Sequence, residues 1–323
     1  MKNVVVIAGG NSSEHDVSLQ SGDYVYSELD GTRYNKYLMH MRGRDWHVVL
    51  GDETFPVDRN DFSFTRNGEK VVFDFVYPII HGNPGENGML QGYLEMMGVP
   101  YAGCSTLCTA LTFDKHTCNT YLAACGVNVA RSVMITRGMS FSAGEIVGEV
   151  GLPCFVKPNA DGSSFGVSKV KTEGELPAAI EKAFGCCDAV LVESFIDGME
   201  LTCGVCKTRG MDVVLPIAKV IPKNEFFDFE AKYDPSMSEE LIPAPIPDEL
   251  TGRVKKLSSA IYDILRCEGI VRIDYIVRDG EIFLLEVNTA PGMTSNSFIP
   301  KMIHAIGWSV RDFLTRVIED KLK

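Results

Sequence analysis

Two apolar stretches that each end at a glycine-rich loop constrain the fold most strongly. An apolar run from Lys2 to Ala8 breaks at a Gly-Gly loop, and a helical pattern starts near Glu14. Phe73 to Ile80 repeats the arrangement, with a glycine-rich loop before a helix from about Met89 to Met97. A strand without polar alternation is typical of a parallel sheet covered on both faces. Strand, loop and helix, twice over, predict an α/β domain whose loops bind a ligand.

The rest of the chain is long enough for further domains. At 323 residues it exceeds the size at which single cores stop growing, so two or three domains are expected. Gly98, Pro100 and Gly103 mark a boundary. Residues 224–247 are acidic, irregular and punctuated by prolines, which is typical of an active-site lid or a disordered segment. Periodicity beyond the boundary predicts helices at 105–125, 173–184, 248–265 and 309–319, and strands at 154–158, 167–170, 189–194 and 199–207.

Four polar residues interrupt two apolar β-type runs near the C-terminal end. Arg272 and Asp274 share one face of the first run, and Glu286 and Asn288 share one face of the second. If the hairpin brings these faces together, the Asp, Glu and Asn oxygens form the hard set that holds Mg²⁺ against phosphates. The guanidinium beside them can stabilise negative charge. Acids embedded in apolar strands are costly unless paired or metal-bound, which favours a functional site over a solvated hairpin.

The turn of this hairpin decides whether the polar faces meet. A two-residue turn at Asp279 and Gly280 places Asp274 and Glu286 on opposite faces of the sheet. A three-residue loop that also includes Arg278 puts all four polar groups on one face. We predict this loop, with Gly280 at positive φ closing a bulged turn. Its register has two cross-strand pairs at the site: Arg272 with Glu286, and Asp274 with Leu284.

Charge and hydropathy exclude two classes of partner. A net charge of −12 argues against nucleic-acid binding, so any anionic ligand must be met by locally placed Lys, Arg and backbone N–H groups. No apolar run approaches the ~20 residues of a membrane span. The N-terminal apolar run is too short for a signal peptide, and a cytoplasmic protein is expected.

The 10 cysteines, without a secretion signal, are expected to be reduced thiols. Cys203 and Cys206 have redox-pair spacing but lie in a β-like run without a following helix. A zinc cluster is a second possibility, but its apolar, helical surroundings favour small buried core residues. Its members would be Cys104, Cys108, His116 and Cys118.

Several segments together resemble the D-alanine–D-alanine ligases of the ATP-grasp superfamily. The resemblance spans nearly the whole chain, in the family's order, and rests on residues 9–18, 81–86, 157–158 with 162–166, 231–233, and the closing hairpin with 291–294. It implies an α/β fold with an N-terminal parallel-sheet (pre-ATP-grasp) domain and a two-part ATP-grasp domain. The implied bounds are 1–103 for the first domain, 104–188 and 189–323 for the two parts of the second, and about 224–247 for a lid loop.

The resemblance also implies a reaction. The family uses ATP and Mg²⁺ or Mn²⁺, with two ions, to join two D-alanines for peptidoglycan precursor synthesis. One carboxylate attacks the γ-phosphate to give an acyl phosphate, and the amine of the second amino acid then displaces phosphate. Such transfer depends on positioning and electrostatics, so the site needs cations and N–H donors. The implied partners are D-alanine, ATP and a second copy of the chain in a homodimer, with no nucleic acid and no membrane.

Individual roles follow from the matched motifs. Catalytic roles are implied for Glu14, Ser163, Tyr233, Arg272 and Gly292. Substrate binding is implied for His81, Ser297 and Phe298. Nucleotide binding is implied for Lys115, Lys157, Ser164, Gly166, Glu193, Phe195, Ile196, Glu200 and Lys232. Metal binding is implied for Asp274, Glu286 and Asn288.

Two departures and several alternatives accompany this interpretation. Asn87 stands where the family commonly has Asp, and Phe298 where it commonly has Leu; neither changes the predicted reaction. The alternatives are a D-alanine–D-lactate ligase, another ATP-grasp carboxylate–amine ligase, a dinucleotide-dependent oxidoreductase and an inactive ATP-binding regulator. A dinucleotide-dependent oxidoreductase would carry a spaced Gly-x-Gly-x-x-Gly fingerprint, which this chain lacks. The inactive regulator is disfavoured because the chain retains the polar residues expected at the site: Lys115, Lys157, Arg272, Asp274, Glu286 and Asn288. Tyr233 favours D-alanine as acceptor, and Tyr233→Phe is expected to weaken selectivity against D-lactate.

Overall fold

A computed structural model describes residues 1–162, 165–222 and 238–322 of the chain. Within these ranges the chain forms three β-sheets, each covered by helices. No helix in the described part is both long and apolar enough to cross a membrane.

The first sheet contains the predicted parallel core. Strand β1 pairs in parallel with β2 on one side and β7 on the other, and it is buried from Val4 onward. Antiparallel hairpins that were not predicted extend the sheet on the β2 side, in the order β6-β5-β4-β3-β2-β1-β7. The bounds are β1 Lys2–Gly9, β2 Tyr34–Arg42, β3 Asp45–Leu50, β4 Glu53–Asp58, β5 Ser63–Arg66, β6 Glu69–Val72 and β7 Phe75–Pro78, with helices α1 His15–Glu28 and α2 Met89–Met97.

The loop between β1 and α1 is held at the sheet edge by a buried serine. Ser18 Oγ on α1 accepts from Gly9 N at 2.8 Å and donates to Ile79 O at 2.7 Å, which ties the helix to the ends of β1 and β7. Gly10 has φ +94°, and a Cβ there would lie 2.5 Å from the Ile80 side chain. The Gly-Gly loop therefore packs against the end of β7 only because it has no side chains.

The second sheet is antiparallel, in the order β10-β9-β11-β8. Its bounds are β8 Ser132–Thr136, β9 Cys154–Pro158, β10 Ser168–Val170 and β11 Ala189–Ser194. Helices α5 Ala143–Val150 and α6 Leu176–Phe184 pack against it, and a 3-10 turn at Glu173–Glu175 precedes α6.

The third sheet is also antiparallel, in the order β15-β14-β12-β16-β17, with β13 paired to β12. Strand β15 is a correction: part of the 224–247 segment expected to be irregular is an ordered strand paired with β14. Residues 224–237 lie outside the described residues. The bounds are β12 Met199–Thr208, β13 Met211–Val214, β14 Ala218–Pro222, β15 Ser238–Leu241, β16 Gly269–Arg278 and β17 Glu281–Asn288, with α7 Asp248–Ile264, α8 Phe298–Ala305 and α9 Val310–Lys321.

The single helix predicted for 105–125 is two helices, α3 Thr106–Phe113 and α4 Lys115–Ala124. Asp114 separates them with an extended backbone (φ −81°, ψ 99°), and its carboxylate accepts from Thr117 N at 2.8 Å as the N-cap of α4. Asn159, just beyond β9, accepts from Lys115 N at 3.1 Å and from His116 N at 2.8 Å. The break therefore fixes the start of α4 against the end of β9.

The hairpin turn differs from the prediction. It has two residues, Asp279 and Gly280, with φ of 52° and 81°. Positive φ at both positions is the geometry of a type I′ turn. The positive φ predicted for Gly280 is confirmed, but the three-residue loop is wrong.

A β-bulge further along the hairpin restores the common face. Tyr275 pairs with Leu284 but Asp274 pairs with Glu286, so Leu285 is an extra residue on β17. An extra residue in one strand directs the side chains beyond it to the opposite face of the sheet. The two predicted cross-strand pairs are therefore wrong, and the observed pairs at the site are Arg272 with Asn288 and Asp274 with Glu286.

The N-cap of α4 gives a stability prediction. Asp114→Ala removes the acceptor for Thr117 N and is expected to lower the free energy of unfolding by about 1 kcal/mol. Asp114→Asn keeps an equally good cap and is the matched control. Denaturant unfolding followed by circular dichroism measures both; equal midpoints for the alanine variant and the wild type would contradict the capping role.

Candidate active site

Two neighbouring cavities lie among the loops and sheet edges described above. A cavity of about 450 Å³ lies between the start of α1, the loop after β7 and the segment from β17 to α8. A cavity of about 500 Å³ lies between the second and third sheets. The two cavities share six lining residues: Lys115, Asp161, Gly162, Arg272, Glu286 and Phe298.

The four polar residues of the β16–β17 hairpin, which we call the hairpin cluster, lie at this junction: Arg272, Asp274, Glu286 and Asn288. Arg272 Nε donates to Asp274 Oδ1 at 3.0 Å, and its Nη2 donates to Oδ2 at 2.8 Å. Asn288 Nδ2 donates to Asp274 Oδ2 at 3.1 Å, and the Thr202 hydroxyl donates to Oδ1. Glu286 lies directly across from Asp274 in the ladder. The predicted convergence of the four polar groups is confirmed, through the bulge instead of the turn.

Lys115 reaches the cluster from the start of α4. Its Nζ lies 3.7 Å from Glu286 Oε2 and donates to Asp161 O at 2.7 Å. Because Asn159 holds the first N–H groups of α4, the end of β9 determines where this ammonium lies. A cation therefore stands beside the acidic cluster, at the junction of the cavities.

The cavity between the sheets is lined by both charged and apolar side chains. Lys157 Nζ lies 2.5 Å from Glu193 Oε2, and both side chains are buried. Phe195, Ile196 and Glu200, for which the resemblance implies nucleotide binding, also line this cavity. The Lys169 ammonium lies 4.0 Å from the Phe195 ring centroid. Apolar side chains together with lysines suit a planar base that carries a phosphate chain.

Glu14 and Gly162 approach each other closely in the other cavity. Glu14 is buried at the start of α1, and a Cβ at Gly162 would lie only 2.1 Å from its Oε2. A side chain at position 162 would therefore have to displace this carboxylate.

His81 lines the same cavity in a defined protonation state. Its Nδ1 lies 3.0 Å from Ala290 O, which can only accept, so Nδ1 carries the proton. Ser21 Oγ lies 3.4 Å from Nε2. Burial lowers the pKa of His81, although the Glu14 charge opposes the shift. The neutral imidazole therefore lines the cavity in an orientation fixed by its hydrogen bond to Ala290 O.

Glu86 is a site residue that the sequence left without a role, although it belongs to the 81–86 motif. Burial, and then the charge of Glu14, raise its pKa to about 8, while the Gly82 N–H donated to its Oε2 at 2.7 Å works the other way. At neutral pH this carboxyl group carries a proton. The ion pair between Lys301 Nζ and Glu240 Oε2, at 2.7 Å, also lines this cavity and was not predicted.

The turn before α8 completes the cavity. Ser297 Oγ accepts from Thr294 N at 3.0 Å, and a Cβ at Gly292 would lie 3.0 Å from the same oxygen. Phe298, which lines both cavities, lies under Arg272, whose guanidinium carbon is 5.9 Å from the ring centroid.

The remaining predicted site residues lie outside the cavities or outside the described residues. Gly166 has φ +70° and packs against Pro158, where a Cβ would approach within 3.0 Å. Four others belong to segments outside the described residues: Ser163, Ser164, Lys232 and Tyr233.

Comparison with known families shows which family the chain belongs to. A family profile described as "D-ala D-ala ligase N-terminus" matches residues 3–104, and one described as "D-ala D-ala ligase C-terminus" matches residues 121–319. The chain belongs to the D-alanine–D-alanine ligase family. The family identified from the motifs is confirmed, and so is the α/β class of the fold.

Relatives of the ligase extend over its whole length. The D-alanine–D-alanine ligase of Phocaeicola vulgatus is 51% identical over 99% of both chains. The crystal structure of the VanG D-Ala:D-Ser ligase from Enterococcus faecalis is 33% identical over 98% of both chains, with a TM-score of 0.85. The D-alanine–D-alanine ligase of Bacillus anthracis in complex with ATP is 29% identical over 100% of this chain and 98% of that one, with a TM-score of 0.80.

The protonated Glu86 gives a pH prediction. Since its pKa in the folded protein lies near 8, above its ordinary 4.5, its stabilising contribution is full below pH 4.5 and is lost as pH rises toward 8. Glu86→Gln keeps the neutral shape without a titrating proton, so its stability relative to the wild type should increase over that interval. Melting temperatures from pH 5 to 9 measure this difference; a constant difference would show that Glu86 is already ionised at pH 5.

Proposed function

We propose that the enzyme joins two D-alanines to D-alanyl-D-alanine and converts ATP to ADP and phosphate, for peptidoglycan precursor synthesis. The observation that carries this proposal is the junction of the two cavities. A pocket suited to a nucleotide meets a second pocket, lined by polar and charged groups suited to zwitterions, where Lys115, Arg272 and Glu286 line both. Family membership and the 51% identical relative named D-alanine–D-alanine ligase support the same reaction.

In the first step the D-alanine carboxylate attacks the γ-phosphorus, and ADP leaves. Lys115 and Lys157 neutralise the phosphate chain; the position of both side chains in the lining of the second cavity supports these roles. Phosphoryl transfer leaves little covalent chemistry for the protein to do, so the two lysines act through their position and their charge. The buried Glu14 carboxylate accepts the ammonium of this D-alanine, and His81 lies beside it.

In the second step the amine of the other D-alanine attacks the acyl carbon, and phosphate leaves. Arg272 and the Gly292 N–H stabilise the oxyanion that forms. Ser297, beside Gly292, binds the carboxylate of this second substrate. Support comes from their common position along one wall of the first cavity.

The hairpin cluster fits Mg²⁺ or Mn²⁺. Asp274, Glu286 and Asn288 supply carboxylate and amide oxygens from one face, the donor set that hard cations take. A half-turn of the Asn288 amide brings its oxygen to the place where Nδ2 meets Asp274. The metal would hold the β- and γ-phosphates and neutralise charge there; we propose two ions at this cluster.

The acceptor in the second step differs among relatives that share this fold. The VanG relative is named for D-serine, so the fold alone does not fix D-alanine as acceptor. We assign D-alanine from the 51% identical relative and from Tyr233. A lid around 224–247 that carries Lys232 and Tyr233 completes the proposed site.

We propose domains at 1–103, 104–188 and 189–323, which the three separate sheets support. A cytoplasmic homodimer is the proposed working form, and sedimentation equilibrium measures its stoichiometry.

Phosphate release from ATP tests the function directly. We expect release that depends on D-alanine and matches D-alanyl-D-alanine formation one to one by mass spectrometry. L-alanine, D-lactate and D-serine, each supplied with limiting D-alanine, test the acceptor. D-alanine-independent hydrolysis, or a mixed product in preference to the dipeptide, would overturn the assignment.

The contact between Glu14 and Gly162 predicts a kinetic defect. Gly162→Ala forces its Cβ into the Glu14 carboxylate, and a displacement of this kind costs up to about 100-fold in rate. We expect kcat/KM for D-alanine to fall toward that value. Gly174→Ala, where a Cβ meets nothing within 4 Å, is the matched control and should keep wild-type kinetics. An unimpaired Gly162→Ala enzyme would show that Glu14 is not held there during turnover.

Glu286 predicts metal dependence. Glu286→Gln removes an anionic ligand and should lower kcat by about 100-fold or more at saturating Mg²⁺, by loss of charge stabilisation. Glu281→Gln, at the exposed start of the same strand, is the control and should not change kcat. Full turnover by Glu286→Gln with Mg²⁺ would exclude it as an essential ligand.

A further inference from the structure

Three cysteines that are far apart in sequence meet in the core, away from both cavities. Cys104 precedes α3, Cys108 is in its first turn, and Cys267 lies in the loop between α7 and β16. All three are buried, and their sulfur atoms lie within 4.8 Å of one another. Cys108 Sγ and Cys267 Sγ are 3.7 Å apart. Metal–sulfur bonds of about 2.3 Å in a tetrahedral or trigonal site place the sulfurs about 3.8–4.0 Å apart, which matches this pair.

The backbone around the thiols is closely fixed. Cys104 Sγ donates to Glu268 O and accepts from Glu268 N, both at 3.3 Å, so it is held against the residue after Cys267. Arg266 adopts φ 53° in the same loop, and a Cβ at Gly269 would lie 2.9 Å from Gly103 N. The three sulfurs are therefore presented from rigid backbone, which lowers the entropic cost of binding a ligand among them.

The surroundings of the three sulfurs are mostly apolar. The cysteines belong to a buried core cluster that also contains Leu122, Val127 and Leu265. A cavity of about 480 Å³, lined by Gly103, Glu268 and Lys321, lies beside the residues next to Cys104 and Cys267. Soft thiol ligands in an apolar setting suit a soft metal ion.

We propose that Cys104, Cys108 and Cys267 form a three-thiolate site for Cu(I). Thiolates select soft ions such as Cu(I) and Zn²⁺. Structural Zn²⁺ sites take four ligands, whereas the described residues offer three here. Each thiol loses its proton to solvent as a sulfur–copper bond forms, so one Cu(I) displaces up to three protons and no electron moves.

A bound copper ion would link two segments of the chain that lead to residues of the candidate active site. Cys108 is on α3, which is followed directly by α4 and Lys115, and Cys267 stands two residues before β16, which carries Arg272 and Asp274. The bound ion should therefore stabilise the fold where these segments meet. The proposal does not depend on the reaction assigned to the enzyme.

Anaerobic titration with Cu(I) held by a chromogenic chelator tests the site. The chelator-stripped, full-length wild type should withdraw one Cu(I), with a rise in melting temperature. Cys104→Ser, Cys108→Ser and Cys267→Ser should each weaken binding by more than the 10–100-fold that loss of a supporting group costs in metal sites. Cys154→Ser, a buried cysteine on β9, is the control and should bind as the wild type does.

X-ray absorption of copper in the wild type supplies a readout that needs no variant. A first shell of three sulfurs at about 2.3 Å supports the proposal. Oxygen or nitrogen ligands, uptake unchanged in all three variants, or tight binding of Zn²⁺ but not Cu(I) would each overturn it. A Cys108–Cys267 disulfide in the anaerobic protein, found by peptide mass, would also overturn it, because two of the three ligands would then be consumed.

Discussion

A single extra residue in one strand, Leu285, determines which way the reactive groups face. Without the bulge, the two-residue turn at Asp279 and Gly280 would direct Asp274 and Glu286 to opposite sides of the sheet. With it, the third sheet presents a carboxylate pair and a guanidinium to the junction of two cavities. Bulges occur next to active sites for this reason: they redirect side chains without breaking the rest of the ladder.

The charged side chains of the site are held in place by pairing with one another, and this pairing adds little to the stability of the fold. Asp274 accepts from three side chains, and Lys157 pairs with Glu193 in a buried setting. Buried ion pairs contribute little net stability compared with apolar replacements. Their value here lies in fixed positions, because phosphoryl transfer and acyl transfer both depend on charges that do not reorganise during the reaction. Burial, and then the charge of Glu14, raise the pKa of Glu86, so that this second carboxyl group does not add another negative charge to the site.

Sequence patterns were sufficient where the physical cause is local. The apolar run of β1 and the periodicity of α2 define these elements, and the motifs gave the family. The patterns were insufficient where the cause is distant. The break at Asp114 depends on Asn159 beyond β9, and the hairpin register depends on a bulge that turn chemistry does not encode. The thiol cluster needs Cys267, 159 residues from Cys108, which no spacing rule connects to it.

Crystals of the enzyme grown with Mn²⁺, a non-hydrolysable ATP analogue and D-alanine test the central claim most directly. Anomalous scattering locates manganese independently of any assumption about its ligands. We expect a peak at the junction of the cavities, bounded by oxygens of Asp274, Glu286 and Asn288 and by the phosphates. A peak elsewhere, or a Glu286 carboxylate turned away from the metal, would contradict the claim that the bulged hairpin builds the reaction centre.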